Sequence, residues 1–196
     1  MRIFVALEIP ETVRLRIARF SEEVREFAPQ ARWVQPESLH VTLKFIGERQ
    51  PPEVDEIARS LAEVRSESFA IDFRGCGFFP TAKAARVFWV GIEENAPLVR
   101  LANSVDEACV GAGVACEERA FSPHLTLARA GRSAAPHRMR SDKTNLAFEK
   151  LRERLAAIQT TDFGTTRARE FILYQSKLSP RGADYIAMAR FPLAQS

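Results

Sequence analysis

Two stretches of this 196-residue chain repeat one chemical pattern, "SLHVTLKF" at residues 38–45 and "SPHLTLAR" at residues 122–129. Each places a histidine, an apolar residue, a threonine and a leucine in that order, and together they use two of only three histidines. In an extended strand, successive side chains alternate between faces. Strict alternation therefore puts His40, Thr42 and Lys44 on one face and Val41, Leu43 and Phe45 on the other. His124 and Thr126 likewise oppose Leu125 and Leu127. Burying the leucine side would hold the polar side still. One such motif alone reads as an ordinary half-exposed strand, whereas two copies point to a site.

Two imidazoles facing each other across a cleft suit general acid–base chemistry. One, neutral, takes a proton from water while the other, protonated, supplies a leaving oxygen. Threonine hydroxyls can donate to the non-bridging oxygens of a phosphate and stabilise the charge that builds there. Phosphoryl transfer depends mainly on such positioning and electrostatics, and a ring-strained cyclic phosphodiester could be opened this way without a metal. A catalytic zinc site would need a third ligand. His137 stands in a polar stretch with no motif around it, and no His-Glu-x-x-His sequence occurs. No Gly-x-Ser-x-Gly elbow supports a serine nucleophile. Cys76, Cys109 and Cys116 are odd in number and lack Cys-x-x-Cys spacing. They indicate neither a disulfide framework nor a zinc site and read as buried or inert thiols.

The elements that must position these residues follow from periodicity. "RIFVALEI" (residues 2–9) is a strand ending at Pro10. Val13, Ile17, Phe20, Val24 and Phe27 recur at helical spacing over 11–27, with Pro29 just beyond. "LHVTLKFIG" is a short strand, and Pro51 and Pro52 open a helix with Val54, Ile57, Leu61 and Val64 on one face. "FAIDFRG" is a strand, "CGFFPTAKA" a loop and "RVFWVGI" a strand. Leu98, Leu101, Val105 and Ala108 mark a third helix, followed by the strand "HLTLARA" and the polar loop "GRSAAPHRMRSDK", which reads as mobile. Phe148, Leu151, Leu155 and Ile158 mark a fourth helix, and "REFILYQS" and "DYIAMARF" are closing strands.

The order strand, helix, histidine strand, helix, strand thus occurs twice. The two histidines lie 84 positions apart, and the same offset carries Thr42 to Thr126, Leu43 to Leu127 and Phe4 to Phe88. We expect an α+β fold forming one bilobal domain over residues 1–196. Its two pseudo-symmetric lobes of antiparallel sheet would carry helices outside and a central cleft between the histidine strands.

These quoted segments resemble the two-histidine phosphoesterase superfamily, most of all the LigT/ThpR-type RNA 2′,3′-cyclic phosphodiesterases, once described as 2′-5′ RNA ligases. "RIFVALEIPE" is similar to the family's opening strand, "RWVQPESLHVTLKFIGE" to its first motif region and "RVFWVGI" to the strand opening its second half. "FSPHLTLAR" is similar to its second motif and "LYQSKLSPRGADYIAMARFPL" to its closing strands. The resemblance implies hydrolysis of a 2′,3′-cyclic phosphate to a 2′-phosphomonoester with neither metal nor other cofactor. It implies that His40 is the proton donor to the leaving oxygen and His124 the proton acceptor from water. The near-symmetric motifs alone leave those two roles open. Thr42 and Thr126 map onto the family's phosphate-binding threonines, and Arg129 matches an arginine that meets the phosphate. Strict alternation puts Arg129 opposite His124, so either a bulge or strand end intervenes or Arg129 is merely a surface cation. Trp33, Phe78, Phe79 and Tyr174 are candidates for stacking on a base, with core or loop packing as the competing reading.

The expected substrates are RNA ends or nucleotides bearing a 2′,3′-cyclic phosphate. A 2′-5′ RNA end ligase and a non-catalytic RNA- or nucleotide-binding module remain the alternatives. A net charge of +3 cannot by itself name nucleic acid as the partner. The excess of arginine over lysine suits phosphate forks, yet an arginine-rich genome would give the same bias. No run approaches the roughly 18 apolar residues of a membrane span, and Glu8 interrupts the N-terminus too early for a secretory signal. The expectation is a cytoplasmic monomer.

Overall fold

The computed structural model describes residues 1–131, 146–158, 161–179 and 182–195. Most of the polar segment expected to be mobile, with His137, lies outside them. Strands β1 (Arg2–Glu8), β2 (Arg32–Trp33), β3 (His40–Glu48), β4 (Phe69–Phe79) and β5 (Val87–Ile92) alternate with helices α1 (Glu11–Val24), α2 (Pro51–Ala62) and α3 (Ala96–Gly111). Then come β6 (His124–Arg129), α4 (Glu149–Ala156), β7 (Asp162–Ala168), β8 (Glu170–Ser179) and β9 (Gly182–Pro192).

The helices form where apolar stripes and end signals agree. Val13, Ile17, Phe20 and Val24 are the buried residues of α1. Pro51 and Pro52 occupy the first turn of α2, and a capping box closes it: the Gln50 backbone N–H donates to Glu53 Oε2 at 2.7 Å. Asn95 caps α3, its Oδ1 accepting from the Leu98 N–H at 2.9 Å.

Two antiparallel sheets result, one in the order β3-β1-β8-β9 and the other β2-β6-β5-β4-β7. The two sheets exchange strands in a way that periodicity does not show. The closing strand of the first half, β4, pairs with β5 in the second sheet, and β8 returns to pair with β1 in the first. Helices cross over too. Phe20 of α1 packs on Phe163 and Phe88 of the second sheet, with ring centroids 5.2 and 6.4 Å apart, while α3 lies against β3 of the first. The matching rows are also one position off the sequence offset. Phe4 faces Phe45 and Val87 faces Arg129, so the structural partner of Phe4 is Val87, and Phe88 corresponds to Val5.

Three local expectations are corrected. The stretch expected as a loop from Cys76 is strand up to Phe79. Gly75, at φ +71°, sits in a bulge that shifts the pairing with β5. At Gly77 a Cβ would come within 2.3 Å of the Trp89 ring, so that glycine gives the indole room. Strand β7 has no forerunner in the sequence reading, because "DFGTTRA" buries only Phe163 and Ala168 at the sheet edge and lacks an apolar alternation. Strand β2 was likewise unforeseen; its two residues pair with the end of β6. Of the cysteines, Cys109 is buried and Cys76 partly so, but Cys116 is exposed. Its thiol donates to Asp106 Oδ2 at 3.4 Å, and that bond and charge raise its pKa, favouring the protonated thiol. Among the described residues, no helix is long and apolar enough to cross a membrane.

Candidate active site

The two histidine motifs adopt the same local structure. In each, the imidazole Nδ1 lies 2.8 Å from the carbonyl oxygen two residues earlier, Ser38 for His40 and Ser122 for His124. A carbonyl only accepts, so Nδ1 carries the proton and Nε2 is the free nitrogen of the ring. The Pro36–Ser38 turn supplies the first carbonyl, and Val34 N–H to Leu127 O (2.8 Å) ties that approach to β6.

A bulge follows in each strand at the motif leucine. Thr42 faces Ala6 and Lys44 faces Val5, leaving Leu43 as the extra residue. Thr126 faces Trp89 and Ala128 faces Phe88, leaving Leu127 extra. Each bulge reverses the alternation beyond it. Arg129 therefore shares the face of His124 and Thr126, through the bulge that the expected phosphate role called for. The same shift overturns two expectations in the first motif. Lys44 turns to the core side, and Phe45 comes round to the face of His40.

Lys44 is 5% exposed and is the ammonium partner of Asp106 on α3, while donating to the Ala115 carbonyl at 2.8 Å. Asp106 also accepts from Cys116 Sγ and the Glu117 N–H. Burial alone would raise the Asp106 pKa, but the hydrogen bonds from Lys44, Cys116 and Glu117 overcome it and hold the carboxyl below the usual carboxylate range. This node joins the first histidine strand to the segment that leads into the second.

Aromatic rings frame both histidines. His40 lies 4.9 Å from Phe4 and 5.0 Å from Tyr185, and Tyr174 stacks on Phe4 at 5.4 Å. His124 lies 4.9 Å from Phe79 and 6.4 Å from Trp89. Of the four stacking candidates, Phe79 and Tyr174 belong to this frame. Trp33 and Phe78 pack on the buried Phe88 at 5.9 and 5.2 Å instead. Phe45, 61% exposed, Tyr185 and Trp89 were not foreseen. The duplication carried a signal for Phe45, which stands five residues after His40 as Arg129 stands five after His124.

The two faces sense one another, since β3 and β6 approach across the sheets. Burial, then the charges of Arg129 and His124, lower the His40 pKa to about 4 against the opposing bond to Ser38. Burial and then Arg129 lower that of His124 too, against its bond to Ser122. Both rings are thus neutral in the free protein near pH 7, in surroundings that already carry positive charge. Among the described residues, no cluster of three or more His, Cys, Asp or Glu side chains is placed to hold a metal ion.

Paired imidazoles with fixed tautomers, each beside a threonine and sharing one arginine, are the groups that acid–base chemistry on a phosphate ester would use. The family model described as LigT like Phosphoesterase matches residues 7–89 and again 90–183, and the chain belongs to that family. The chain is 32% identical to the RNA 2′,3′-cyclic phosphodiesterase of Archaeoglobus fulgidus, covering 94% of this chain and 96% of that protein. It is also 32% identical to the one from Methanothermobacter thermautotrophicus, covering 98% and 99%. Among solved structures, the fold matches TT0787 of Thermus thermophilus with a TM-score of 0.74 and 27% identity over the full length of both chains. It also matches E. coli LigT complexed with 3′-AMP (TM-score 0.76, 24% identity, 99% and 98% covered), a likeness of fold.

Proposed function

We propose that this protein hydrolyses 2′,3′-cyclic phosphates at RNA ends or on nucleotides to 2′-phosphomonoesters, by metal-independent acid–base catalysis. The fixed Nδ1–H of both histidines carries this reading, because it leaves each Nε2 free to take or give a proton. Water attacks phosphorus as its proton passes to Nε2 of His124. The bond from phosphorus to the 3′ oxygen breaks, and that oxygen takes the proton from Nε2 of His40. Thr42 and Thr126 donate to the non-bridging oxygens, and Arg129 meets the charge that grows on them. The names of the relatives support the substrate, and the placement of Arg129 on the face of His124 supports the phosphate site.

Hydrolysis of 2′,3′-cyclic nucleotides in excess EDTA, with NMR identification of the product, tests this directly. Release of a 2′-monophosphate is expected. A requirement for added metal, or a 3′-monophosphate product, would refute it.

The pH dependence follows from the two lowered pKa values. The singly protonated pair, holding one acid and one base, is populated between them and declines above the higher one. A bell-shaped kcat/KM with its maximum on the acid side of the ordinary histidine value is expected, whichever ring holds the proton. Bound anionic phosphate favours imidazolium, so the alkaline limb of kcat should lie at higher pH than that of kcat/KM. A kcat/KM still rising at about pH 8 would contradict a pair titrating this way.

A further inference from the structure

Arg32 and Arg129 face each other directly across the β2–β6 ladder. Like charges so opposed cost stability. Neither makes an ion pair among the described residues, although other exposed arginines do, Arg74 with Glu93 and Asp162 and Arg190 with Glu8 and Glu170. Arg2 adds a third cation from the other sheet. It lies on the β1 face that carries Phe4 and in one row with Ser176 and Tyr185, the tyrosine that touches His40. The carboxylate opposite Arg2, Glu48, lies 3.6 Å from the N-terminal ammonium instead. The field registers at Arg129, whose pKa burial and then the charges of Arg32 and Arg2 push down while Tyr185 opposes.

Opposed side chains begin about 5 Å apart at Cβ, so Arg32 can reach an anionic group beside the one that Arg129 holds. We propose that Arg32 and Arg2 form a second phosphate site, which takes the phosphodiester on the 5′ side of the terminal nucleotide. The substrate class is then an RNA chain end in preference to a free cyclic mononucleotide. This inference rests on the function proposed above.

The test compares a trinucleotide ending in a 2′,3′-cyclic phosphate with a 2′,3′-cyclic mononucleotide, which lacks the upstream phosphate. Wild type should favour the trinucleotide through KM. In Arg32→Gln and in Arg2→Gln the ratio of kcat/KM, trinucleotide over mononucleotide, should fall about fivefold. The salt slope of log kcat/KM on the trinucleotide should become shallower by about 0.7 per arginine removed. An unchanged ratio in both variants, or an equal fall on both substrates, would overturn the second site. A wild type that cleaves neither substrate would instead overturn the proposed function itself.

Discussion

Replacing His40 or His124 by alanine is expected to lower kcat by about 10²–10⁴-fold on a cyclic nucleotide, the usual worth of one acid or base. Removing both should cost little more than removing the more important one, since the two act in a single proton relay. The substrate's leaving group separates their roles. An aryl phosphodiester expels a nitrophenolate that needs no proton, so the variant lacking the acid should be far less impaired on it, and the variant lacking the base should not recover. Recovery in His40→Ala alone fits His40 as donor, and recovery in His124→Ala alone would exchange the assignments. Equal defects on both esters in both variants, with folding intact by circular dichroism, would remove acid–base roles from the pair altogether.

The second large effect is on stability. Asp106→Ala leaves the Lys44 ammonium buried without its counter-charge, which is much more costly than losing a surface pair. Water reaches the pair from the Asp106 side, where the side chain is 19% exposed, so the expected loss is about 2–4 kcal/mol, below the full range for a sealed pair. For a chain of this size that corresponds to a fall in Tm of about 5–15 °C. Lys44→Met with Asp106→Leu removes both charges and should recover most of the loss, giving a double-mutant coupling of the same sign. The Asp106 pKa is depressed in the fold, so its contribution is present above the ordinary carboxylate range and is lost as pH falls through the folded value. Thermal melts of wild type, the single variants Asp106→Ala, Asp106→Leu and Lys44→Met, and the double variant between about pH 3 and 7 measure both effects. A Tm for Asp106→Ala within a degree or two of wild type would mean that Lys44 finds water or another partner.

The histidines and threonines were legible because a period of two survives from His40 to Thr42 and from His124 to Thr126. Legibility stopped at the next residue. A bulge at a leucine leaves no mark in composition, because Leu43 and Lys44, or Leu127 and Ala128, become consecutive inward residues only when the partner strand skips one. Phe45 and Lys44 were consequently placed on each other's faces, and Arg129 could reach the phosphate only by a bulge that had to be assumed. The same limit explains Gly75 and Gly77, whose glycines read as loop although one makes a bulge and the other clears a ring. Helices were easier: Val13, Ile17, Phe20 and Val24 repeat over about three turns, and prolines and Asn95 mark the starts of α2 and α3. Which sheet β4 and β8 join is set by long-range pairing, which no local pattern encodes.

The exchange of strands between the halves has a consequence for the order in which the molecule can be made. Among the described residues, the sheet holding His124 ends with β7 at Ala168, but the sheet holding His40 needs β8 and β9, which end at Pro192. On a growing chain, β1 and β3 are made before β8 and β9, and until those strands arrive they form a two-stranded ribbon backed by α3 on β3, with the β1 edge open. Contacts spanning nearly the whole length also slow folding once the chain is complete. His40, made before His124, therefore lies in the sheet that is completed later, and a chain that stops before β9 lacks that complete sheet.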